Sequence, residues 1–190
     1  IMVVACLLLL VVFRSLTIAL SSILLNLVSV GASFGFATIV FQHGIGAGLI
    51  GIEHQGFVDA WAPLFFFALL FGLSMDYQLF LLAAIREVYE ETGDTNRAIR
   101  EGSARTGRPI TNAALIMIVV FLAFGITGPI PPTELGVTLA VAVLLDATVI
   151  RMMLVPSIMG PLGERNWWLP RWLDPVLPQI DRAWNLALAG

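Results

Sequence analysis

Two aspartates, Asp76 and Asp146, lie inside long apolar runs of the sequence, where no water is available to solvate a charge. An ionised aspartate at the centre of a membrane span costs at least about 2.5–3.5 kcal/mol, so each of these residues calls for a partner or a purpose. A carboxyl group that is desolvated but faces a guanidinium group can load and release a proton near neutral pH. Proton transfer is therefore the chemistry that the sequence indicates.

Three polar side chains accompany these aspartates. Tyr77 follows Asp76 and offers a hydroxyl that can orient a carboxyl group or relay a proton through water, so Asp76 and Tyr77 are predicted to form a proton relay. Asp146, Arg151 and Ser74 are predicted to form a supporting polar network, in which proton transfer and a static ion pair are both open readings of Asp146. Asp146 and Arg151 are about 140° apart around an α-helix, which predicts that each bridges to another helix.

Each aspartate also ends a stripe of small residues at i, i+4, i+8 spacing. The two stripes are Ala68, Gly72 and Asp76, and Thr138, Ala142 and Asp146. Small stripes face other helices rather than lipid, so both aspartates are expected to point into a helix bundle. By the same reasoning, Gly31 and Gly35, in Gly-x-x-x-Gly spacing, are predicted together with Gly72 to be helix-packing positions.

Composition identifies the surroundings in which these residues work. Of the 190 residues, 58% are hydrophobic and 12% are charged, against roughly 45–50% and about 25% in soluble domains. The apolar runs match the roughly 20 helical residues that cross a bilayer. We expect an all-α membrane protein, a bundle of about five transmembrane helices. Because the chain opens at Ile1 inside an apolar run, its first helix is expected to be truncated and the chain to be a fragment.

The breaks between the apolar runs set the predicted boundaries. Spans are predicted over about residues 1–13, 16–41, 62–85, 111–127 and 134–159, within a transmembrane domain of residues 1–160. Gly93 and Asp94 indicate a break and a helix N-cap, which predicts a separate surface helix over about 94–108. Residues 161–190 are predicted to form a cytoplasmic juxtamembrane tail, with the aromatic residues of Asn166-Trp167-Trp168-Leu169-Pro170-Arg171-Trp172 at the headgroup boundary.

The positions of the basic residues predict the orientation in the membrane. All ten are arginine, and outside the spans they occupy alternate connections, after the first, third and fifth predicted spans. The connections 43–60 and 128–133 contain none. By the positive-inside rule, the arginine-bearing segments and the C-terminus are expected in the cytoplasm, as part of a multi-pass protein of the cell membrane.

The sequence contains none of the catalytic motifs of soluble enzymes considered below. His43, Glu53 and His54 share no helical spacing and have no cysteine beside them, so no metal site is predicted. There is no nucleophile elbow and no phosphate-binding loop. An intramembrane aspartyl protease is disfavoured because neither aspartate lies in a Gly-x-Gly-Asp context. We expect no enzyme activity, no cofactor other than the proton as coupling ion, and no nucleic acid partner.

Several motifs together resemble a known family. They are Phe71-Gly72-Leu73-Ser74-Met75-Asp76-Tyr77, Ala104-Arg105-Thr106-Gly107-Arg108, Leu144-Leu145-Asp146-Ala147-Thr148-Val149-Ile150-Arg151, Leu154-Val155-Pro156 and Asn166-Trp167-Trp168-Leu169-Pro170. The chain resembles the C-terminal transmembrane half of the MMPL family, the "mycobacterial membrane protein large" transporters of the resistance-nodulation-division (RND) superfamily. One departure is Gln78, where the family often has Glu, and we expect little consequence from it.

The resemblance implies spans eight to twelve of a 12-helix transporter in which inward proton flow drives export. It implies that Asp76 and Tyr77 are the second of two Asp-Tyr pairs of a proton relay, the first lying in a missing N-terminal half. Implied partners are that half, membrane lipids and a lipid or other hydrophobic small-molecule substrate, with a homo-oligomer as one possible assembly. The alternative from the residues is a non-transporting lipid-sensing or scaffold membrane domain of similar fold.

Overall fold

Long apolar helices make up the described part of the chain, residues 1–45, 62–127, 130–170 and 172–173 of a computed structural model. The helices are α1 (Met2–Phe13), α2 (Leu16–Ala37), α3 (Ala62–Thr92), α4 (Thr95–Thr127), α5 (Ile130–Leu145) and α6 (Val155–Leu162). A π-helical turn, Thr38–Gln42, continues α2. A longer π-helical segment, Asp146–Leu154, joins α5 to α6, and a 3₁₀ turn, Gly163–Trp167, follows.

Four of the continuous helical stretches are long and apolar enough to cross a membrane. They are Leu16–Gln42, Leu64–Thr92, Thr95–Gly125 and Thr133–Trp167. Met2–Phe13 is a shorter apolar helix. The prediction of an all-α membrane bundle of about five helices with a short first one is confirmed, and within the described residues there is no strand.

The predicted surface helix over 94–108 is wrong, because α4 is a single helix of 33 residues that passes through Pro109. Asp94 does cap its start, since the backbone N–H groups of Asn96 and Arg97 lie 2.8 and 3.2 Å from its Oδ1. Pro109 removes one backbone donor, yet the helix continues through it, with Thr106 and Ile110 buried on either side.

The first half of α4 packs along the end of α3 rather than standing apart from it. A Cβ on Gly102 would lie 2.7 Å from Cα of Ile85, so the two backbones touch. Ala98 of α4 and Val88 of α3 are both fully buried at 0% exposure. This contact explains why α3 continues beyond the predicted end at residue 85 to Thr92.

The closest helix crossing in the described residues uses glycines that the sequence analysis did not single out. A Cβ on Gly136 of α5 would lie 2.7 Å from the backbone nitrogen of Gly125 in α4, and it would also collide with the carbonyl oxygen of Phe121. Gly31, Gly35 and Gly72, in contrast, are exposed, and nothing lies within 4 Å of a Cβ built on them. Their predicted packing role is therefore not realised within the described part of the chain.

The arginine-bearing connections meet at one end of the bundle. Arg86, in α3, donates a hydrogen bond to the carbonyl oxygen of Phe13 at the end of α1. The hydroxyl of Ser15, the N-cap of α2, donates to the carbonyl oxygen of Asn166. The backbone N–H of Leu16 donates to the carbonyl oxygen of Trp168 at 3.2 Å. The segment after α6 thus contacts the start of α2, and Arg86 connects α3 to the end of α1.

Trp167 packs against other side chains at this end of the bundle. Its ring stacks on Tyr89 with centroids 4.3 Å apart, and the guanidinium of Arg86 lies 5.5 Å from its centroid. Its Nε1 donates to the hydroxyl of Thr95 at 3.4 Å. Trp168 is 55% exposed and Trp172 is 71% exposed, and the position of the cluster at the headgroup boundary stays a prediction.

Replacing Gly136 with alanine tests the glycine crossing. Gly136→Ala should destabilise the protein by about 1–3 kcal/mol because the added methyl group forces α4 and α5 apart. Gly31→Ala is the matched control and should be neutral or slightly stabilising, since alanine is the better helix former by about 1 kcal/mol. The measurement is thermal unfolding of the purified full-length protein in detergent. An equal loss for the two variants would mean that the Gly31 face is also packed.

Truncating Trp167 tests the arginine-bearing end. Trp167→Ala should cost about 2–3 kcal/mol, somewhat less than the roughly 3–5 kcal/mol of a fully buried ring. Trp168→Ala should stay within about 0.5 kcal/mol, because its ring is exposed and only its backbone carbonyl makes a contact. Chemical or thermal unfolding compares the two variants. A larger effect at Trp168 would contradict the packing described here.

Candidate functional site

A buried ion pair between Asp146 and Arg151 forms the centre of the site. Nη2 and Nε of Arg151 lie 2.7 and 2.8 Å from Oδ2 of Asp146. The side chain of Arg151 is 2% exposed and that of Asp146 is 10% exposed. A pair with this geometry holds its two charges as one neutral unit away from solvent.

The direct Asp146 to Arg151 contact contradicts the expectation that the two residues would not bond within one helix, whereas the expected bridges to another helix are present, since both residues also contact Ser74 of α3. Residues five apart diverge by about 140° on an α-helix, but this stretch is π-helical from Asp146 to Leu154. A π-helix, with its i to i+5 hydrogen bonds, is wound more loosely than an α-helix, so residues five positions apart lie on the same face. The local change of helix type therefore makes the ion pair possible.

Ser74 of α3 joins the ion pair from the neighbouring helix. Its hydroxyl lies 2.8 Å from Oδ1 of Asp146, and its backbone carbonyl accepts a hydrogen bond from Nη2 of Arg151. Nη2 also lies 3.1 Å from the Ser74 hydroxyl. The structure thus brings together Ser74, Asp146 and Arg151, the three residues of the predicted polar network.

A buried polar stripe on α2 adds one further member to this network, and the sequence analysis missed it. The stripe consists of Ser22, Asn26, Ser29 and Ser33, all of them at most 3% exposed. Asn26 hydrogen-bonds to Ser74 through its side-chain oxygen. The i, i+4, i+7, i+11 spacing of small polar residues in an apolar helix was the signal that marks an inward face. With the stripe turned inward, Gly31 and Gly35 face outward.

Asp76 occupies the opposite face of α3 and does not point into the described bundle. Ser74 and Asp76 are two positions apart, which is about 200° around the helix. Ser74 and Gln78 are 4% and 2% exposed, whereas Asp76 is exposed. The expected inward position is therefore correct for Asp146, whereas Asp76 faces away from the helices described here. The stripe of Ala68 and Gly72 that ends at Asp76 is exposed with it.

Asp76 lies in the walls of two apolar grooves on this outer face. One groove, of about 430 Å³, runs between α1 and α3 and includes Leu8 and Met75. The other, of about 300 Å³, lies between α3 and α4 and includes Phe80 and Ile110. The carboxyl group is thus accessible from both grooves, and most of the side chains around it are apolar.

Tyr77 lies between the outer carboxyl group and the buried ion pair. Its ring faces the guanidinium of Arg151, with Cζ 5.2 Å from the ring centroid. Its hydroxyl lies 3.7 Å from the sulfur of Met117. Tyr77 lines the α3–α4 groove together with Asp76 and also a small inner cavity together with Asp146. It is therefore the side chain that could connect the two acidic groups.

The described residues contain no candidate metal site, since no group of three or more potential ligands comes together there. Of the residues weighed for a metal site, Glu53 and His54 lie outside the described residues. The ring nitrogen Nδ1 of His43 lies 3.1 Å from the carbonyl oxygen of Thr38, a local contact at the end of its own helix.

Comparison with known proteins places the chain in one family. The model of the MMPL family matches residues 1–186. The "Heme uptake protein MmpL11" of Mycobacterium tuberculosis is 45% identical over 179 residues, covering 94% of this chain and 18% of the relative. The "Mycolic acid-containing lipids exporter MmpL11" of Mycolicibacterium smegmatis is 43% identical over 183 residues, covering 94% of this chain and 19% of the relative.

A more distant relative has a different named cargo. The "Trehalose monomycolate exporter MmpL3" of Mycolicibacterium smegmatis is 39% identical over 168 residues, which is 88% of this chain and 16% of the relative. The chain therefore spans less than one fifth of the length of these curated relatives.

The ion pair can be tested by removing one or both partners. Arg151→Met should destabilise the protein by about 3–5 kcal/mol because it leaves a buried carboxylate without a counter-charge. Adding Asp146→Leu to it should recover most of that loss, since an apolar pair replaces both charges. A double-mutant cycle on thermal unfolding measures the coupling. Equal stability of the single and double variants would contradict a strong pair.

Proposed function

The chain belongs to the MMPL family, and on that premise we propose that it forms part of an exporter driven by the proton motive force. The cargo is a lipid or another hydrophobic or amphiphilic compound, moved outward across the cytoplasmic membrane. Two relatives are named as exporters of mycolic acid-containing lipids and of trehalose monomycolate, which supports a lipid cargo. Inward movement of protons supplies the free energy.

The single observation that carries the proposal is the position of Asp76. By helix geometry it lies roughly 15 Å along α3 from Arg86, which is within the depth of the hydrocarbon layer. Asp76 is exposed on the surface of the described bundle, and the two grooves beside it are apolar. A carboxyl group in that position is costly when ionised and cheaper when protonated, so its charge state depends on what reaches it.

The exposure of Asp76 has two readings, lipid or protein, and the proposal commits to protein. Gly72 lies one turn before Asp76 and Ala68 one turn before that, and nothing lies within 4 Å of a Cβ on Gly72. A stripe of small residues ending at an acidic group suits a closely packed helix. We assign that helix to the N-terminal half of the full-length protein, where the family resemblance implies the other Asp-Tyr pair of the relay.

Protonation of Asp76 would then change how the two halves pair. A neutral carboxyl group can donate a hydrogen bond across the interface, whereas a carboxylate can only accept one. Tyr77 lies beside Asp76 in sequence and under the guanidinium of Arg151, so a change at the interface reaches the buried ion pair through one side chain. Such a difference biases the helices between two arrangements.

The proposed orientation places the arginine-bearing end of the bundle in the cytoplasm. Contacts of Arg86 with Phe13 and of Ser15 with Asn166 bring the connections after α1, α3 and α6 to that end. The positive-inside rule then assigns it to the cytoplasmic side together with the C-terminus.

A scaffold or lipid-sensing domain is the second candidate, and the ion pair favours it. Asp146 and Arg151 are buried and paired, as in a network that only fixes helix register. Asp76 has no such satisfied arrangement in the described bundle, which is why transport is preferred. A matching intramembrane Asp-Tyr pair in the N-terminal half would support transport, and its absence would support the scaffold.

Asp76→Asn in the full-length protein tests the proposal. The amide cannot load or release a proton, so proton-coupled export in membrane vesicles should fall at least about a hundredfold. Glu91→Gln is the control, because Glu91 is an exposed carboxylate in the last turn of α3. It should transport at the normal rate. Undiminished proton-coupled export by Asp76→Asn would remove Asp76 from the mechanism.

A further inference from the structure

A small cavity lies beside the ion pair, where α2, α3, α4 and the π-helical segment meet. Its polar lining consists of Ser29, Ser74, Tyr77 and Asp146, and the rest is apolar. It offers about 10 Å³ to the centre of a water molecule, close to the roughly 10–15 Å³ that one ordered water requires. The space therefore suits a single small molecule that forms hydrogen bonds.

The charges around the cavity select a neutral occupant. Asp146, the one charged residue of the lining, is already neutralised by Arg151, so a cation would find no free counter-charge and an anion would meet the carboxylate. A buried water needs about two to four polar partners. The four polar side chains of the lining meet that number.

The hydrogen bonds of Ser74 show that the protein groups alone do not satisfy one another here. The Ser74 hydroxyl has one proton, yet it contacts side-chain oxygens of both Asn26 and Asp146. If it donates to Asp146, the amide of Asn26 must turn its nitrogen toward Ser74. In either orientation, one end of the Asn26 amide, which is 0% exposed, lacks a partner among the described residues.

Arg151 gives the same indication from the other side. Its Nη1 is buried and has no hydrogen-bond partner in the described part of the chain. Asn26 and Arg151 do not themselves line the cavity, but each hydrogen-bonds to Ser74, which does. Buried polar groups in native proteins are almost always satisfied, by water where no protein group is available.

We propose that the cavity binds one ordered water molecule, held by Ser29 and Asp146, and that this water links Tyr77 of the relay to the Asp146–Arg151 pair. The binding site stands on the cavity and its lining alone, whereas the coupling role rests on the proposed function. Ser29 and Ser74 are then positioning residues that keep the water between the two acidic centres. Neither takes up a proton itself.

A density map of the full-length protein, at a resolution that shows ordered water, tests the site directly. Water density within hydrogen-bond distance of Ser29 and Asp146 is the expected result. A dry cavity would overturn the site and the link together. This measurement needs no substitution, so it does not depend on whether a variant folds.

Ser29→Val tests the coupling role, because its methyl groups fill the cavity while Asp76 and Tyr77 stay unchanged. Proton-coupled transport by the full-length protein should fall about tenfold, with substrate binding retained. Ser33→Val is the matched control. Ser33 is 1% exposed on the same stripe, does not line the cavity, and its hydroxyl bonds only the Ser29 carbonyl of its own helix at 2.8 Å.

The pattern of results separates this inference from the proposed function. Normal transport by Ser29→Val, or an equal loss in Ser33→Val, would overturn the link. If Asp76→Asn transports normally while the cavity holds water, the proposed function fails and the water site stands. If Asp76→Asn abolishes transport and the cavity is dry, the proposed function stands and the water site fails.

Discussion

The buried contact between Asp146 and Arg151 constrains most of what surrounds it. Two full charges at 10% and 2% exposure are stable only if they meet each other closely and if their remaining hydrogen-bonding capacity is met by polar groups. The π-helical stretch that starts at Asp146 satisfies the first condition by stacking the two residues. Ser74, through its hydroxyl and its carbonyl, meets part of the second. α3 must therefore present Ser74 inward.

That requirement fixes the other face of α3. A helix that turns Ser74 and Gln78 toward the bundle turns Asp76, about 200° away from Ser74, toward the outside. Tyr77 then lies between these two faces of α3. Its ring faces the guanidinium of Arg151, and it lines the α3–α4 groove together with Asp76. The separation of a static ion pair inside from an open carboxyl group outside follows from helix periodicity. Residues that hold the bundle together therefore lie on one face of α3, and the residue that is open to a partner lies on the other.

The two ends of the bundle are held by different means. At one end, Gly125 and Gly136 let α4 and α5 approach to backbone contact, which fixes that crossing by shape alone. At the arginine-bearing end, Trp167 stacks on Tyr89, and Arg86 reaches both Trp167 and the carbonyl of Phe13. The polar groups there satisfy helix ends, which apolar packing cannot do. The polar network lies between these two attachments, where the helices are anchored on either side.

The sequence alone determined the features that depend on length, hydropathy and local chemistry. The apolar runs predicted the spans, Asp94 predicted the start of α4, and the motifs around Asp76 and Asp146 identified the family. Tertiary structure decided which face of each helix is covered. The stripes ending at Asp76 and Asp146 have the same spacing, yet only the second is buried, and Gly31 is open whereas Gly136 is in contact. Helix periodicity defines faces, but the neighbour that covers a face comes from distant parts of the chain. The hydroxyl that Asp146 contacts on the neighbouring helix likewise belongs to Ser74, which is 72 residues away in the sequence.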